Sequence, residues 1–508
     1  MTTTTSTTGP SHRTYGGWSR PSSPGIGGLK LIPTAMLLAG LVFTLLVAML
    51  GGLALAVLTA AVLAVAAAPA AVSWHGRPVY AALTRRVAWK RAVTAGRHMY
   101  RSGAGGVSPD GSRRLPGLLA PVRLWAASDA QGRPFALVEM PQARQWAVVI
   151  RTAAQAGALV DPGTRDVWVA SWGEWLAHLG AESGVVQAAV VVETAPDAGA
   201  LLAAHVAGMI RPDTPEFARA VLADAAVELP TGVAETTAYV TVTFSERGLG
   251  VQRGREPEAA AAAAAEEIGR RLPGLTVPLQ EAGASAGEPL TGEELSRRVR
   301  QAFDPLVGAE FAEAEAAGEP VQVRWEDAGP AAAEEAWDCY RHDSGWSRTY
   351  EALLAPPGAV RDSVMERLLS PIPGAPRKRV TLFYRPVDAA ETAAVVDREV
   401  KAAINRQFRR KGLAHAHDTA ALRSARQAAE EEADGAGVAS VGLYVTVTAD
   451  DFDALTTAAA AVERAARGSR WRLSPVYGAQ AAAFAGALGV GVSLADLSLL
   501  PAPARAHL

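Results

Sequence analysis

Residues Leu31–Val72 contain no charged residue and consist almost entirely of Leu, Ala, Val, Met, Phe and Gly. Few folds can bury such a run in water, and it reads as a membrane segment. One straight helix of that length would reach roughly 60 Å, about twice the ~30 Å hydrocarbon core. Two shorter passes fit better. The paired glycines Gly51-Gly52 permit a tight turn. Pro33 can open the first helix where no donor is needed, and Pro69 ends the second. The expectation is a hairpin of spans Thr34–Leu50 and Leu53–Ala68. The alternative is a single span of about 20 residues plus an interfacial segment.

The flanks set the orientation, because Lys and Arg near span ends stay cytoplasmic. Arg13, Arg20 and Lys30 precede the run, and Arg77, Arg85, Arg86, Lys90, Arg91, Arg97 and Arg101 follow it. No acid occurs before Asp110. Both termini are therefore expected in the cytoplasm, with the chain in the inner membrane. The basic run after the segment reads as stop-transfer rather than as the sequel to a cleaved signal.

The chain is also electrically split. Residues 1–109 carry ten Lys or Arg and no acid, so residues 110–508 hold 39 bases against 51 acids, a balance of −12. A basic foot suits anionic lipid headgroups, with Arg77, Arg85, Arg86, Lys90, Arg91 and Arg97 the candidate contacts. An acidic body argues against direct nucleic-acid binding. The single Cys339 rules out an internal disulfide and agrees with a reducing compartment.

Residues 1–28 are rich in Thr, Ser, Gly and Pro and read as a disordered tail, 29–72 as the two spans, and 73–104 as a basic juxtamembrane segment. Within the tail, Arg13-Thr-Tyr-Gly-Gly-Trp18 reads as a membrane-edge anchor, with a docking motif the alternative. Tyr80–Tyr100 carries Leu83, Val87 and Val93 among its bases and reads as a helix on or rising from the inner leaflet. Ser102–Gly117 reads as a linker.

Beyond it, a β-branched run followed by an Ala-rich, acidic, capped stretch recurs: Gln187–Glu193 with Asp197–Ile210, Ala238–Phe244 with Pro257–Leu272, Arg379–Tyr384 with Ala389–Arg409, and Val441–Thr448 with Asp450–Arg467. Ala-Tyr-Val-Thr-Val-Thr at 238–243 nearly matches Leu-Tyr-Val-Thr-Val-Thr at 443–448, which suggests an internal duplication. The fold class expected is α+β: a transmembrane hairpin followed by a cytoplasmic body of ferredoxin-like units, in regions 105–285 and 286–508 divided at Gly283–Pro289. A doubly wound parallel sheet is the alternative. Thr291-x-x-Glu294 is a capping box for Gly292–Ala302, Asp213-Thr-Pro-Glu opens a helix at Pro215, and Asp304-Pro305 ends the capped helix.

Chemistry is sparse. No Gly-Lys-Ser/Thr occurs, so the chain lacks the phosphate loop of a P-loop ATPase. Gly486, Gly489 and Gly491 lie in an Ala-rich stretch rather than at a strand-to-helix turn. His415, His417 and Asp418 lack the further ligands of a zinc site, and Asp418 reads better as the N-cap of Thr419–Ala433. Cys339, His342, Asp343 and Ser344 are too nearly consecutive to assemble a triad and read as a polar loop. Arg406, Arg409, Arg410 and Lys411 complement a helix dipole. Trp168, Trp172 and Trp175, at a strand end and the start of a helix, read as core, or as a protein-docking patch if exposed. No catalytic residue, metal or cofactor is assigned.

The Arg13–Trp18 string ahead of the hairpin, Trp168–Leu176, Leu290–Pro305, Trp337–Gly345 and Arg379–Val387 together resemble a family of actinobacterial membrane proteins associated with integrative conjugative elements. That family looks like a fusion: its hairpin is similar to the PrgI-type membrane subunit of type IV secretion, and its body to the non-ATPase amino-terminal domain of the conjugation ATPase. The resemblance implies a non-catalytic scaffold, oligomeric within an assembly, that binds other membrane subunits and a separately encoded secretion ATPase. Two other readings stay open, a type VII secretion subunit of the EccE kind and a membrane-tethered enzyme.

Overall fold

A computed structural model describes residues 15–16, 31–71, 73–74, 77–106, 108, 110–153, 160–211, 213–228, 234–252, 254, 256–354, 359–409, 416–433 and 435–497. Two apolar helices, α1 (Leu31–Gly51) and α2 (Leu53–Ala71), pack side by side. They turn at Gly52, whose φ of 81° is the left-handed region that glycine reaches without strain. The break is where the sequence puts it, and α2 runs two residues past Pro69. Side chains are described for Leu37–Gly51 and Leu53–Leu63 and for Thr34. Among the described residues no helix is long and apolar enough to cross a membrane. The expected disordered tail lies outside the described residues except for β1 (Tyr15–Gly16). A short pair, β2 (Ser73–Trp74) and β3 (Arg77–Pro78), then leads into α3 (Val79–Thr94) and β4 (Met99–Arg101).

The body is mixed α and β around one antiparallel sheet of 13 strands. Its first half supplies β5 (Arg123–Ser128), β6 (Pro134–Met140), β7 (Gln145–Thr152), β8 (Val185–Pro196), β9 (Ala234–Ser245) and β10 (Glu288–Pro289). Its second half supplies β11 (Ala332–Glu335), β12 (Tyr340–His342), β13 (Gly345–Leu354), β15 (Arg377–Pro386), β16 (Ala439–Ala449) and β17 (Arg472–Pro475), while β14 (Ala359–Val360) stands apart and pairs with β1. The strands lie in the order β4-β11-β12-β13-β16-β15-β8-β9-β7-β6-β5, with β10 on β7 and β17 on β13. Every pairing is antiparallel, which excludes the doubly wound alternative. The sheet takes strands from both sides of Gly283–Pro289.

The same order of elements occurs twice. In the first repeat, β7 leads through α4 (Pro162–Ala181) to β8, through α5 (Ala200–Met209) and α6 (Glu216–Glu228) to β9, and through α7 (Pro257–Glu281) to β10. After α8 (Gly292–Phe303) and α9 (Val307–Ala316), the second repeat runs from β13 through α10 (Glu366–Leu369) to β15, through α11 (Ala389–Arg409) and α12 (Ala416–Ala433) to β16, and through α13 (Phe452–Gly468) to β17. Both give the spatial order last-first-third-second. The two Tyr-Val-Thr-Val-Thr strings fall on equivalent strands, β9 and β16. Val192 pairs Ala238 as Leu382 pairs Leu443, so Val191 and Thr381 are equivalents, and these two residues pair with each other at the junction of β8 and β15. The repeats are thus related by an approximate two-fold through that pair.

One face buries Val240, Val242, Leu272 and Trp175 under α4 and α7, and the equivalent Val445 and Val447 with Leu455 and Val462 under α13. Helix α7 outlasts the expected end at Leu272, because Ile268, Leu272, Leu275 and Leu279 continue one buried stripe past Pro273. The opposite face is shared by α8 and α14 (Gln480–Ala487). Thr291 and Glu294 form the capping box read from the sequence, whereas the cap of α13 is Asp451, one residue after the expected Asp450, and it accepts from the Ala454 N–H at 2.8 Å.

A strap from Ala487 to Gly491 crosses the two-fold on this shared face. Thr381, Thr241 and Thr243 donate their hydroxyls to the carbonyls of Ala487, Gly489 and Gly491 at 2.7, 2.5 and 3.2 Å. Gly489 has a φ of 65°, and any Cβ there would overlap Val191. The Gly489→Ala protein should therefore lose about 2 kcal/mol or more, seen as a lower urea midpoint at unchanged slope.

Candidate functional site

The basic segment after the hairpin is built into the body rather than hung from it. On α3, Arg85, Trp89 and Ala92 recur at helical spacing and turn inward, while Leu83, Val87, Lys90 and Arg91 are exposed. Arg85 reaches Glu351 of β13 at 3.8 Å. The Arg86 guanidinium lies 5.5 Å over the Trp337 ring, which meets Trp89 edge-on and stacks on Tyr477 at 5.7 Å. Two of the six bases expected on lipid therefore also face the body. Lys90, Arg91 and Arg97 are exposed, and the Arg77 side chain is outside the described set.

After α3, β4 becomes an edge strand of the main sheet, pairing β11 from Arg101↔Ala332 to Met99↔Glu334. The stretch Ser102–Gly117 is not a free linker. Ser102 is buried, its N–H donating to Ala331 O at 2.8 Å and its hydroxyl to Pro330 O at 2.6 Å, and Gly329 N–H donates to Arg113 O. Backbone donors and acceptors that find partners here hold the chain on the body. On the other side of the hairpin, Tyr15↔Val360 and Gly16↔Ala359 form the small β1–β14 sheet, so Tyr15–Gly16 meets the body as well. Both flanks of the hairpin end on the second repeat.

All three tryptophans lie on α4, not at a strand end. Trp175 is 1 % exposed, and its indole N–H donates to Leu275 O at 3.1 Å, so it has no face for a partner. The correction follows from Leu179 sharing its stripe, which drives that side of α4 onto α7. Trp172 is half-buried, stacked on Trp175 at 4.8 Å and edge-on to Tyr384 at 5.7 Å. Trp168 is half-buried over Gly283.

Cys339–Ser344 is not the polar loop expected: Tyr340–His342 form β12, paired on both sides, and the segment is a largely buried polar joint. His342 is fully buried between Phe303 O and Ser347 Oγ, both at 2.7 Å, and Ser347 meets Thr448 Oγ1 at 2.7 Å. Burial holds the imidazole down at about 4, so it is neutral at pH 7. Arg300 binds Asp343 at 2.8 Å and Asp304 at 2.5 Å, and Ser344 donates to Asp304. Burial pushes the Cys339 thiol up, away from a reactive thiolate. His342, Asp343 and Ser344 are each committed to a structural partner.

A second joint was not read from the sequence. Glu193 of β8 accepts from Arg379 of β15 at 2.6 Å and from Arg298 of α8 at 2.7 Å; Arg298 also donates to Leu488 O at 2.7 Å and stacks 4.0 Å over Tyr239. Burial alone would raise the Glu193 carboxyl, but the two guanidiniums outweigh it and hold the group at about 2.

A groove of about 800 Å³ lies between Pro196–Ala203 and Pro371–Pro376. It is lined mostly by Pro and Ala, and its Asp197 accepts from the Gly199 N–H. Among the described residues no group of His, Cys, Asp or Glu could hold a metal ion. Helix α12 starts at Ala416, so Asp418 lies within its first turn rather than at the N-cap, and the His415–Asp418 and Arg406–Lys411 side chains are outside the described set.

Residues 22–81 match a family described as a domain of unknown function, DUF8461. The match takes in both helices of the hairpin and ends at the start of α3. No curated protein matches the chain.

Acid should weaken the two joints in separate windows. His342 is neutral when folded and charges near 6.5 when unfolded, so its contribution is full above pH 6.5 and is lost as pH falls to about 4. Glu193 stays charged to about 2 when folded, so its contribution, about 3 kcal/mol, is full above 4.5 and is lost between 4.5 and 2. Urea midpoints measured from pH 7 to 3 should fall in both windows. H342Q should flatten the first only and E193Q the second only.

Proposed function

We propose that this chain is a non-catalytic, membrane-anchored scaffold of a conjugative type IV secretion apparatus, two-pass in the inner membrane with both termini cytoplasmic. The observation that carries the anchorage is the hairpin surface. Leu37, Leu41, Leu45, Met49, Leu53 and Leu58 are 45–84 % exposed, with no charged residue anywhere in α1 or α2. An uncovered apolar surface of that extent needs a nonaqueous neighbour. The full bounds of 21 and 19 residues correspond to about 30 Å of helix each, the thickness of a hydrocarbon core. The exposed Leu83, Val87, Lys90 and Arg91 on α3 suit the headgroup boundary beneath it.

The body supports a scaffold more than an enzyme: Glu193, Arg298, Arg300 and Arg379 are paired within joints, and the sequence has no phosphate loop. Its two repeats have the strand order of ferredoxin-like units, and we read them as products of a duplication fused at β8 and β15. The type IV assignment rests on the resemblance of the Trp168–Leu176, Leu290–Pro305, Trp337–Gly345 and Arg379–Val387 strings, and from it comes the expected partner, a separately encoded secretion ATPase.

Pairing of β1 with β14 requires the residues ahead of the hairpin to share a compartment with the body. Tyr15→Cys with Val360→Cys, in a Cys339→Ser background, should therefore form a disulfide on mild oxidation of membranes. Single cysteines at Pro10 and Asp110 should resist impermeant reagents in intact cells. Labelling of the first but not the second, with no cross-link, would replace the hairpin by a single span. Native co-purification should retain a conjugation ATPase; recovery of type VII components alone would move the protein to the EccE reading.

A further inference from the structure

Exposed arginines crowd one corner of the second repeat. Arg464 and Arg467 end α13, Arg470 and Arg472 frame the turn into β17, and Arg367 of α10 lies against Gly468. All five are exposed. Among the described ion pairs only Arg467 has a partner, Glu463 at 3.9 Å, and that carboxylate also accepts the Tyr350 hydroxyl at 3.1 Å. Glu366 is a further acid at this corner. In a body with an excess of acid, a group of bases so lightly paired calls for a cause.

The fold does not require it. Helix α7 and β10 of the first repeat correspond to α13 and β17, yet Leu272–Ser296 holds no Lys or Arg, and Glu281 and Glu288 are exposed there. The bases just before that stretch, Arg270 and Arg271, are paired with Glu267, and Arg271 also with Glu182. The helix dipole cannot explain the difference either, since α7 ends without a base in its last turn.

Position suggests the ligand. Ser474 of β17 lies opposite Glu351, the residue that takes Arg85 of α3, and Arg472 lies opposite Leu354, a few residues before the β14 strand that holds Tyr15–Gly16. Arg472 of the corner therefore lies two positions along β17 from the partner of Glu351, where the trailing flank meets the body, and its own partner Leu354 closely precedes in sequence the strand that takes the leading flank.

We infer that this corner is a membrane-surface contact, in which Arg367, Arg464, Arg467, Arg470 and Arg472 bind the phosphates of anionic phospholipid headgroups and lay the second repeat on the bilayer. Guanidinium groups suit phosphate because their planar donors can engage two oxygens at once. The contact lies beyond the basic foot and rests on the anchorage proposed above. It leaves the first repeat, with α5 and α6, directed toward the cytoplasm.

The test uses the full-length chain with Cys339→Ser and a donor fluorophore on Ala460→Cys of α13, reconstituted into nanodiscs that contain a headgroup-labelled acceptor. Energy transfer should be higher with phosphatidylserine present than in phosphatidylcholine alone, and should fall as salt is raised. Each arginine near an anionic surface contributes roughly fivefold. R464Q/R467Q/R470Q/R472Q should thus shift the docked population at low salt by on the order of a hundredfold or more, with its unfolding midpoint kept as the control. Should that variant not fold, the pairs R464Q/R467Q and R470Q/R472Q should each give part of the loss. Transfer that ignores phosphatidylserine in a chain still held in the disc overturns the inference and leaves the anchorage standing. A chain that does not enter the disc at all overturns both. Arginine-dependent binding of a labelled DNA duplex, with no lipid dependence, would make the corner a nucleic-acid contact instead.

Discussion

The central constraint is the ionised carboxylate of Glu193 at the seam between the repeats. Glu193 and Arg379 are direct cross-strand partners in the strand pairing that joins one repeat to the other, and Arg298 reaches the same oxygen from α8. A carboxylate buried alone would protonate or open a path to water. Held by two guanidiniums, it pins the register of β8 on β15, because a slip by one residue would carry Glu193 to the opposite face and leave both cations without it. The Leu488 carbonyl accepts from Arg298, so the strap over the sheet is set by the same cluster. Fixing that seam places the flanking strands of both repeats, and through β13 it places the surface on which α3 rests.

The repeats agree where packing decides and diverge where the chain meets its surroundings. Their buried strands carry the same Val-Thr-Val-Thr alternation, with valines under the helices and threonines toward the shared face. There the hydroxyls either tie down the strap or pair across strands, as Thr349 does with Thr446 at 2.9 Å. The helix pairs between the second and third strands differ more: α11 and α12 bury a small core of their own at Ala403, Leu422 and Ala425, whereas α5 packs against both α6 and α9. The frame is common to both repeats, and their two ends are dissimilar.

Much of the frame was legible in the sequence because its signals are local. Thr291 announces a helix start through a side chain that reaches only three residues ahead. The β8, β9, β15 and β16 strands are runs of β-branched residues, and Gly52 marks the hairpin turn. What was hidden depends on distant partners. Nothing near Met99–Arg101 shows that β11 will make it a strand, and nothing near Ser102 shows a carbonyl waiting at Pro330. Pro273 reads as a helix end until the far side of the sheet supplies a surface for Leu275 and Leu279. The glycines at 489 and 491 look like a loose nucleotide motif, yet their reason is the close approach of a strap to Val191 and Ala147. The Glu193 cluster joins residues more than a hundred positions apart, so no local pattern could carry it. The arginine corner did leave a trace, Arg464, Arg467, Arg470 and Arg472 close together in an acidic region.

The β1–β14 pairing also orders events in time. The hairpin and its leading strand leave the ribosome first, while Ala359–Val360 is made only after β13, a delay on the order of tens of seconds at ordinary rates of synthesis. During that interval the apolar helices must find their final surroundings with both ends loose, and β4 must wait for β11. When the second repeat folds, it closes two long loops onto a hairpin already in place, so the slow, nonlocal steps fall last, at the end of the chain that completes the sheet.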